Sequence, residues 1–160
     1  MRRLFLCLKY MLLSFIMRQT IDSLVDMEKF AVNFVSKLLP HKDKATVVGL
    51  YGNLGAGKTT LTQFIAKAFG VEDVVASPTF VIEKIYDLTR QRFAHLVHID
   101  AYRLDKSEEL LHLGWKEIIS NPKNLILIEW SERVADIMPK HIRINLTYIS
   151  ENSREIEILE

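Results

Sequence analysis

A glycine-rich stretch between an apolar run and a helix-forming run is the feature that most constrains this chain. Residues 52–60 read GNLGAGKTT, with three glycines ahead of one lysine and two threonines. Glycine loses more backbone freedom on ordering than any other residue, so such a cluster costs stability unless the loop conformation requires it. Residues 45–51 (ATVVGLY) are typical of a strand buried on both faces. Residues 61–69 carry apolar side chains at the spacing of a helix with one buried face.

The order of strand, glycine-rich loop and helix, with the pattern G-x-x-x-x-G-K-[ST], predicts a phosphate-binding loop. Backbone N–H groups of such a loop converge on a β-phosphate, and the helix beginning near Gly57 presents unpaired N–H groups. Lys58 is expected to bridge the β- and γ-phosphates, which makes it a catalytic candidate, and Thr59 to give its hydroxyl to Mg²⁺. The alternative is a glycine-rich turn followed by a solvated lysine. The candidate nucleotide-binding residues of the loop are Asn53, Gly55, Ala56, Gly57, Lys58, Thr59 and Thr60.

Size and charge restrict the classes of protein that fit. The chain has 160 residues, which suits one domain with its own core. Its net charge of +1 gives no global basic field, so any contact with nucleic acid must come from a local patch or through a partner. Cys7 is the single cysteine, which excludes an internal disulfide and a multi-cysteine metal site. A reducing cytoplasm is the expected location.

The first seventeen residues, MRRLFLCLKYMLLSFIM, differ from the rest of the chain. Two arginines followed by an apolar run are similar to a secretory signal. Lys9 interrupts that run, no small-residue cleavage site follows, and the run is too short to span a bilayer. We therefore divide the chain into an extension, residues 1–17, and a single domain, residues 18–160, without stable membrane association. The extension is interpreted as a mis-assigned start upstream of Met17, with a targeting or peripheral membrane segment and a helix of the fold as alternatives.

The remaining pattern predicts an α/β fold with a mixed sheet, in which antiparallel strands are added to a parallel core. A short polar connection between two strands, at residues 89–92, makes those strands antiparallel neighbours. Strands are predicted over residues 45–51, 80–88, 93–99, 124–128, 142–148 and 155–159. Helices are predicted from a cap at Asp22 or Ser23 to about Leu39, from near Gly57 to Phe69, and from a cap at Ser107 to about Leu113.

Two acidic residues follow apolar runs that are typical of buried strands. Asp100 comes after residues 96–99 (LVHI), and Glu129 comes after residues 125–128 (LILI). The carboxyl ends of parallel strands form the ligand crevice of open α/β sheets, and a phosphate-binding loop leaves the sheet at the same edge. Each acid is therefore a candidate to hold Mg²⁺ or to position an attacking water. The alternative for both is a helix cap or an ordinary loop residue.

Other polar and aromatic side chains near these acids have simpler interpretations. His95 and His98 are interpreted as packed or surface histidines, with a catalytic role as the alternative. Trp130 is interpreted as part of the core or of a pocket wall. Arg103 and Arg133 could each reach a phosphate, although surface ion pairs are their default interpretation.

Taken together, the ordered segments resemble the TsaE family, formerly called YjeE, over the chain from about residue 20 to its end. The loop alone would indicate only a superfamily, whereas the ordered set is more specific. The segments that carry the resemblance are residues 52–60 (GNLGAGKTT), 77–80 (SPTF), 100–104 (DAYRL), Leu113 with Gly114, and 128–133 (IEWSER).

The resemblance implies a three-layer fold of the P-loop NTPase type and an ATPase that uses ATP and Mg²⁺. It implies that Thr59 and Glu129 hold Mg²⁺ and that Asp100 is needed for ATP hydrolysis. Ser77 and Thr79 would lie in a switch-like segment near the γ-phosphate. These implied roles agree with the independent placement of both acids at the ends of predicted strands.

The resemblance also implies a role beside the TsaD and TsaB proteins in making N6-threonylcarbamoyladenosine at position 37 of tRNAs that read ANN codons. The protein would support the transferase without transferring the group itself, and contact with tRNA is expected to be indirect. We expect slow hydrolysis by the isolated protein. The alternatives are a nucleotide-dependent scaffold and a small-molecule kinase, although the chain lacks an obvious arginine-rich lid to exclude water.

Overall fold

The computed structural model describes residues 17–159, which form a seven-stranded sheet with helices on both faces. Within that part of the chain, no helix is both long enough and apolar enough to cross a membrane. The strands are β1 (Met17–Ile21), β2 (Thr46–Tyr51), β3 (Glu83–Asp87), β4 (His95–Asp100), β5 (Asn124–Glu129), β6 (Ile142–Tyr148) and β7 (Arg154–Leu159). The α-helices are α1 (Leu24–Lys37), α2 (Lys58–Ala68), α3 (Ser107–His112) and α4 (Trp115–Ser120), and short 3-10 turns span Ala101–Arg103 and Ser131–Val134.

The sheet is mixed, as the sequence predicts. Its strand order is β1-β7-β6-β2-β5-β4-β3. The pairs β6–β2, β2–β5 and β5–β4 are parallel, whereas β3–β4, β6–β7 and β1–β7 are antiparallel. Every residue of β2 and β5 is buried, which explains why their sequences are apolar without alternation. The carboxyl ends of β2, β4, β5 and β6 therefore share one edge of the sheet.

Two apolar clusters, one on each face of the sheet, complete three layers. On one face, α1 and α2 contribute Phe30 and Leu61, which pack with Leu127 of β5. On the other face, α3 and α4 contribute side chains that include Leu110 and Trp115. The three-layer α/β fold expected from the sequence is confirmed.

Strand β1 is an element that sequence patterning did not predict. Its sequence, MRQTI, is exposed at the three middle positions and lacks an alternating apolar face. Pairing with β7 fixes it, with Met17 opposite Ile158 and Ile21 opposite Arg154. Met17, the last residue of the predicted extension, is thus the first residue of a strand. Residues 1–16 lie outside the described residues.

Two helix boundaries differ from the predictions for local reasons. The first helix is capped by Ser23, as predicted, but ends at Lys37, because Leu38 already has extended dihedral angles ahead of Pro40. Ser107 is the first residue of α3 instead of its cap. Its hydroxyl donates a hydrogen bond to Asp136 Oδ2 at 2.7 Å, so the side chain links two segments of the fold.

The strand predicted to begin at Phe80 begins at Glu83, because a turn occupies the preceding residues. The amide of Ile82 donates to the carbonyl of Pro78, and Ile82 has φ +68°, a value that a β-branched residue rarely adopts. The carbonyl of Ile82 then accepts a hydrogen bond from the amide of Asp100 at 2.9 Å. Residues 77–82 are consequently a loop attached to the end of β4.

Gly52 allows the end of β2 to pass close to β6. Its φ is +144°, and a Cβ built on it would lie 2.3 Å from the carbonyl oxygen of Leu146. Gly55, three residues later, also has a positive φ, +78°, but a Cβ there would have nothing within 4 Å. Gly52 is therefore required both by its dihedral angle and by a neighbouring backbone, whereas Gly55 is required by its dihedral angle alone.

Substitution of these two glycines should separate the two requirements. Gly55→Ala should lower the free energy of unfolding by about 1 kcal/mol, the cost of a left-handed conformation. Gly52→Ala should lower it by roughly 3 kcal/mol or more, because overpacking against a main-chain oxygen is added to the strain. Denaturant titration monitored by circular dichroism measures both values. Equal losses would show that the approach to Leu146 is not limiting.

Candidate functional site

The glycine-rich loop connects the end of β2 to the beginning of α2. Gly57, with φ +100°, is the N-cap residue of α2, and no side chain caps the helix. The first turn of α2 also carries no acidic residue. Its amide N–H groups and the positive end of the helix dipole thus remain available to an anion. The helix spans eleven residues, long enough for this dipole to matter.

Lys58 is folded back into this loop. Its Nζ donates hydrogen bonds to the carbonyl oxygens of Gly52 at 2.6 Å and of Asn53 at 3.0 Å. The same ammonium lies 3.6 Å from the centroid of the Trp130 ring, a cation–π contact. Its side chain is buried, with the residue only 5% exposed. Two of the three N–H donors of the ammonium are thus engaged by carbonyl oxygens of its own loop, which compete with a phosphate for them.

The charges around Lys58 favour an added cation. Burial lowers the pKa of the Lys58 ammonium from its ordinary value, and the negative charges of Glu129, Glu132 and Asp100 act in the opposite direction. Three carboxylates thus act electrostatically on one ammonium. A divalent cation bound beside them would offset this excess of negative charge.

Thr59 and Glu129 are in direct contact. The Thr59 hydroxyl donates to Glu129 Oε2 at 2.7 Å, and His98 Nε2 lies 2.7 Å from Glu129 Oε1. Glu129 is 2% exposed, and His98 is fully buried. A hydroxyl and a carboxylate are the hard oxygen donors that Mg²⁺ prefers, so these two side chains fit that ion.

Residues 17–159 contain no cluster of three or more His, Cys, Asp and Glu side chains arranged to hold a metal. Mg²⁺ commonly uses one or two protein ligands and completes its shell with waters and substrate phosphates. Thr59 and Glu129 therefore suit an ion that arrives with a nucleotide.

Asp100 accepts hydrogen bonds at both carboxylate oxygens. Its Oδ2 accepts from the hydroxyl of Ser77 and from that of Thr79, the latter at 2.6 Å. Its Oδ1 accepts from the amide of Tyr102 at 2.9 Å. The carboxylate is buried, and it lies beside Glu129 because the two residues are partners in the β4–β5 register. The loop of residues 77–82 is thus tied to a candidate catalytic group.

The structure brings the predicted site residues together at one edge of the sheet. Contacts join Thr59 to Glu129 and join Ser77 and Thr79 to Asp100. Within the loop, Asn53 contributes its carbonyl to Lys58, and the Ala56 side chain is buried, with the residue 1% exposed, so it has only its main chain to offer a ligand. Gly55, Gly57 and Thr60 lie in or directly after the loop.

The arginines differ from their default interpretation. Arg103 lies over the ring of Phe80 at 4.1 Å, and Arg133 donates to the carbonyl of Leu104 at 3.2 Å. Neither forms an ion pair within the described part of the chain. Their guanidinium groups instead hold the loops that surround the site.

Sequence reasoning missed the polar role of one side chain and the exact place of another. His98 is packed in the core, as expected, yet its ring contacts Glu129. Alternation along β4 could have indicated this contact, since His98 shares a face with Asp100. Trp130 has φ +59°, which turns the chain after Glu129 and places the indole against Lys58. Nothing in the local sequence indicates that dihedral angle.

A family model and two related proteins that match this chain all carry the name TsaE. The family model described as threonylcarbamoyl adenosine biosynthesis protein TsaE matches residues 21–156. The tRNA threonylcarbamoyladenosine biosynthesis protein TsaE of Haemophilus influenzae is 36% identical over 143 residues, which cover 88% of this chain and 87% of that protein. The protein of the same name from a Nostoc species is 40% identical over 116 residues, covering 71% of this chain and 69% of the relative.

A solved structure shares the fold. The crystal structure of Bacillus subtilis YdiB matches with a TM-score of 0.72 and covers 91% of this chain and 86% of that one. At 24% sequence identity this similarity concerns the architecture. The match to the family model and the identity to relatives over most of their length establish the relationship at the level of sequence: the chain belongs to the TsaE family.

Proposed function

We propose that this protein binds and hydrolyses ATP in support of N6-threonylcarbamoyladenosine synthesis on tRNA, together with the TsaD and TsaB proteins. The observation that carries the proposal is the contact of Thr59 with Glu129, beside Asp100, at the start of an uncapped helix behind a glycine-rich loop. The names of the relatives supply the pathway. Transfer of the threonylcarbamoyl group belongs to the partners, and contact with tRNA is indirect.

Binding begins with the loop. Main-chain amides around Gly55 and Gly57, with the first turn of α2, receive the phosphates. Lys58 exchanges the carbonyls of Gly52 and Asn53 for oxygens of the β- and γ-phosphates. Because its stem stays buried, the ammonium can move between these two sets of partners without leaving the loop.

The acids divide the remaining tasks. Thr59 and Glu129 would hold Mg²⁺, which neutralises charge on the triphosphate. Asp100 orients the attacking water by accepting its hydrogen bond at Oδ2. That oxygen already accepts two hydroxyl hydrogen bonds, from Ser77 and Thr79, so the loop of residues 77–82 must release it first. Slow hydrolysis by the isolated protein follows from this requirement.

A nucleotide-dependent scaffold is the second candidate function. It is favoured by the two hydroxyl hydrogen bonds that Asp100 Oδ2 already accepts from Ser77 and Thr79. If the loop of residues 77–82 never released the carboxylate, nucleotide binding alone would control docking to the partners. Hydrolysis would then be negligible even in the complex.

We further propose a cytoplasmic location without stable membrane association.

Two substitutions should separate binding from turnover. Lys58→Ala should abolish binding, because it removes the side chain that contacts two phosphates. Asp100→Asn should preserve binding and lower turnover by roughly 100-fold, since the amide is a poorer acceptor for the attacking water. Fluorescence anisotropy of mant-ATP reports binding, and phosphate release reports turnover.

Lys67→Ala is the matched control for the lysine substitution. Lys67 also lies on α2, but it is exposed and pairs with Glu28 at 2.7 Å. Binding and turnover should both stay at the wild-type level in this variant. Normal hydrolysis by Asp100→Asn would contradict the role assigned to that carboxylate.

Partner dependence is tested by measuring phosphate release with and without TsaD and TsaB. We expect the rate to rise on addition of the two proteins. Docking would move the loop of residues 77–82 and release the Asp100 carboxylate from its hydrogen bonds to that loop. Fast turnover by the isolated protein, unchanged by the partners, would contradict this mechanism. No turnover under either condition would favour the scaffold.

The cellular role is tested by depleting the protein and measuring modified adenosine in tRNA by mass spectrometry. N6-threonylcarbamoyladenosine should fall after depletion and return with the wild-type or Lys67→Ala protein. The Lys58→Ala protein should not restore it. Unchanged modification after depletion would show that the protein acts elsewhere.

A further inference from the structure

His98 is a fully buried polar residue on a strand of apolar neighbours. It lies on β4 between Leu96 and Asp100 on the same face, and its register partner on β5 is Leu127. Its exposed fraction is 0%. A leucine would suit the packing of this position without burying ring nitrogens. The presence of an imidazole therefore requires a compensating interaction.

Among the residues that the structure describes, the imidazole ring has one polar partner. Nε2 lies 2.7 Å from Glu129 Oε1, whereas Nδ1 is buried without a hydrogen-bond partner among residues 17–159. A carboxylate only accepts hydrogen bonds, so the hydrogen of this contact lies on Nε2. The buried Nδ1 without a partner costs stability, and the contact with Glu129 offsets that cost only in part. Its polar chemistry is directed at Glu129 alone.

The contact restrains the orientation of the Glu129 carboxylate. His98 holds Oε1, and the Thr59 hydroxyl holds Oε2, so rotation of the carboxylate would break both hydrogen bonds. Removal of the imidazole would leave Oε1 without this partner in a site that is 2% exposed. The carboxylate would then lose its restraint on the side opposite Thr59.

We propose that His98 is a positioning residue, which fixes the Glu129 carboxylate so that Oε2 faces Thr59 in the arrangement that receives Mg²⁺. This inference rests on the proposed function, because it concerns the same metal site. His98 itself contacts neither the nucleotide nor the ion. Groups that orient metal ligands in this way commonly change metal affinity by roughly 10- to 100-fold when they are removed.

The test measures how much Mg²⁺ improves nucleotide binding. The Kd for mant-ATP is determined with Mg²⁺ and with EDTA. The Kd in EDTA divided by the Kd in Mg²⁺ gives the factor by which the metal improves binding. His98→Leu should reduce this ratio by roughly tenfold or more while leaving the Kd in EDTA unchanged. A residue with a purely structural role would affect both Kd values together.

Two amide variants test the position of the donor. His98→Gln can place an N–H near the position of Nε2, and it should restore most of the Mg²⁺ contribution. His98→Asn carries the same amide on a shorter side chain that stops near the position of Nδ1, so it should behave like His98→Leu. Equal ratios for the glutamine and asparagine variants would contradict the proposed geometry.

His95→Leu is the control for the change in chemistry. His95 is on the same strand at the far end from the site, where its Nδ1 lies 3.0 Å from Asn124 Oδ1. This variant should keep the wild-type ratio. A wild-type ratio in His98→Leu would overturn the positioning role alone, whereas failure of the wild-type protein to bind mant-ATP would overturn the proposed function as well. Loss of folding in all three His98 variants, with His95→Leu folded, would assign His98 a structural role instead.

Discussion

The parallel pairing of β4 with β5 is the constraint on which the site depends. It sets Asp100 opposite Glu129 at the ends of the two strands, and pairing of β5 with β2 brings the glycine-rich loop to the same edge. No single segment contains the site, because the two acids are separated by an excursion through α3 and α4 to the other face of the sheet. The apolar strands thus have two consequences: they form the core, and they deliver polar side chains to its edge.

Two separate hydrogen-bonded groups of side chains lie at the carboxyl ends of these strands. One contains Thr59, Glu129 and His98, and its members are linked through both carboxylate oxygens. The other contains Asp100 with two hydroxyls of the loop at residues 77–82. The first group joins the first turn of α2 to two interior strands, β5 and β4. The second joins β4 to a loop, residues 77–82, and not to another strand or helix. Under the proposed function, the first group would hold the metal ion and the second would be the part that a partner controls.

The sequence was sufficient to predict the parts of the structure that local patterns determine. The strand before the loop, the helix after it, and the places of Asp100 and Glu129 follow from apolar runs and from the geometry of parallel strands. Strand β1 could not be predicted in this way, because its pairing with β7 stabilises a segment whose middle is polar. The positive φ of Trp130 also depends on tertiary contacts, and it could not be read from local pattern.

The contacts of Lys58 inside its own loop have a thermodynamic consequence. In the absence of ligand, the carbonyls of Gly52 and Asn53 and the indole of Trp130 compete with any anion for the ammonium. An intramolecular competitor of this kind lowers the apparent affinity, because the intrinsic affinity is multiplied by the fraction of molecules in the binding-competent form. The same hydrogen bonds tie Lys58 to two residues of the glycine-rich loop and so restrain that loop. A lower apparent affinity for an anion and a restrained loop conformation therefore result from the same contacts of Lys58.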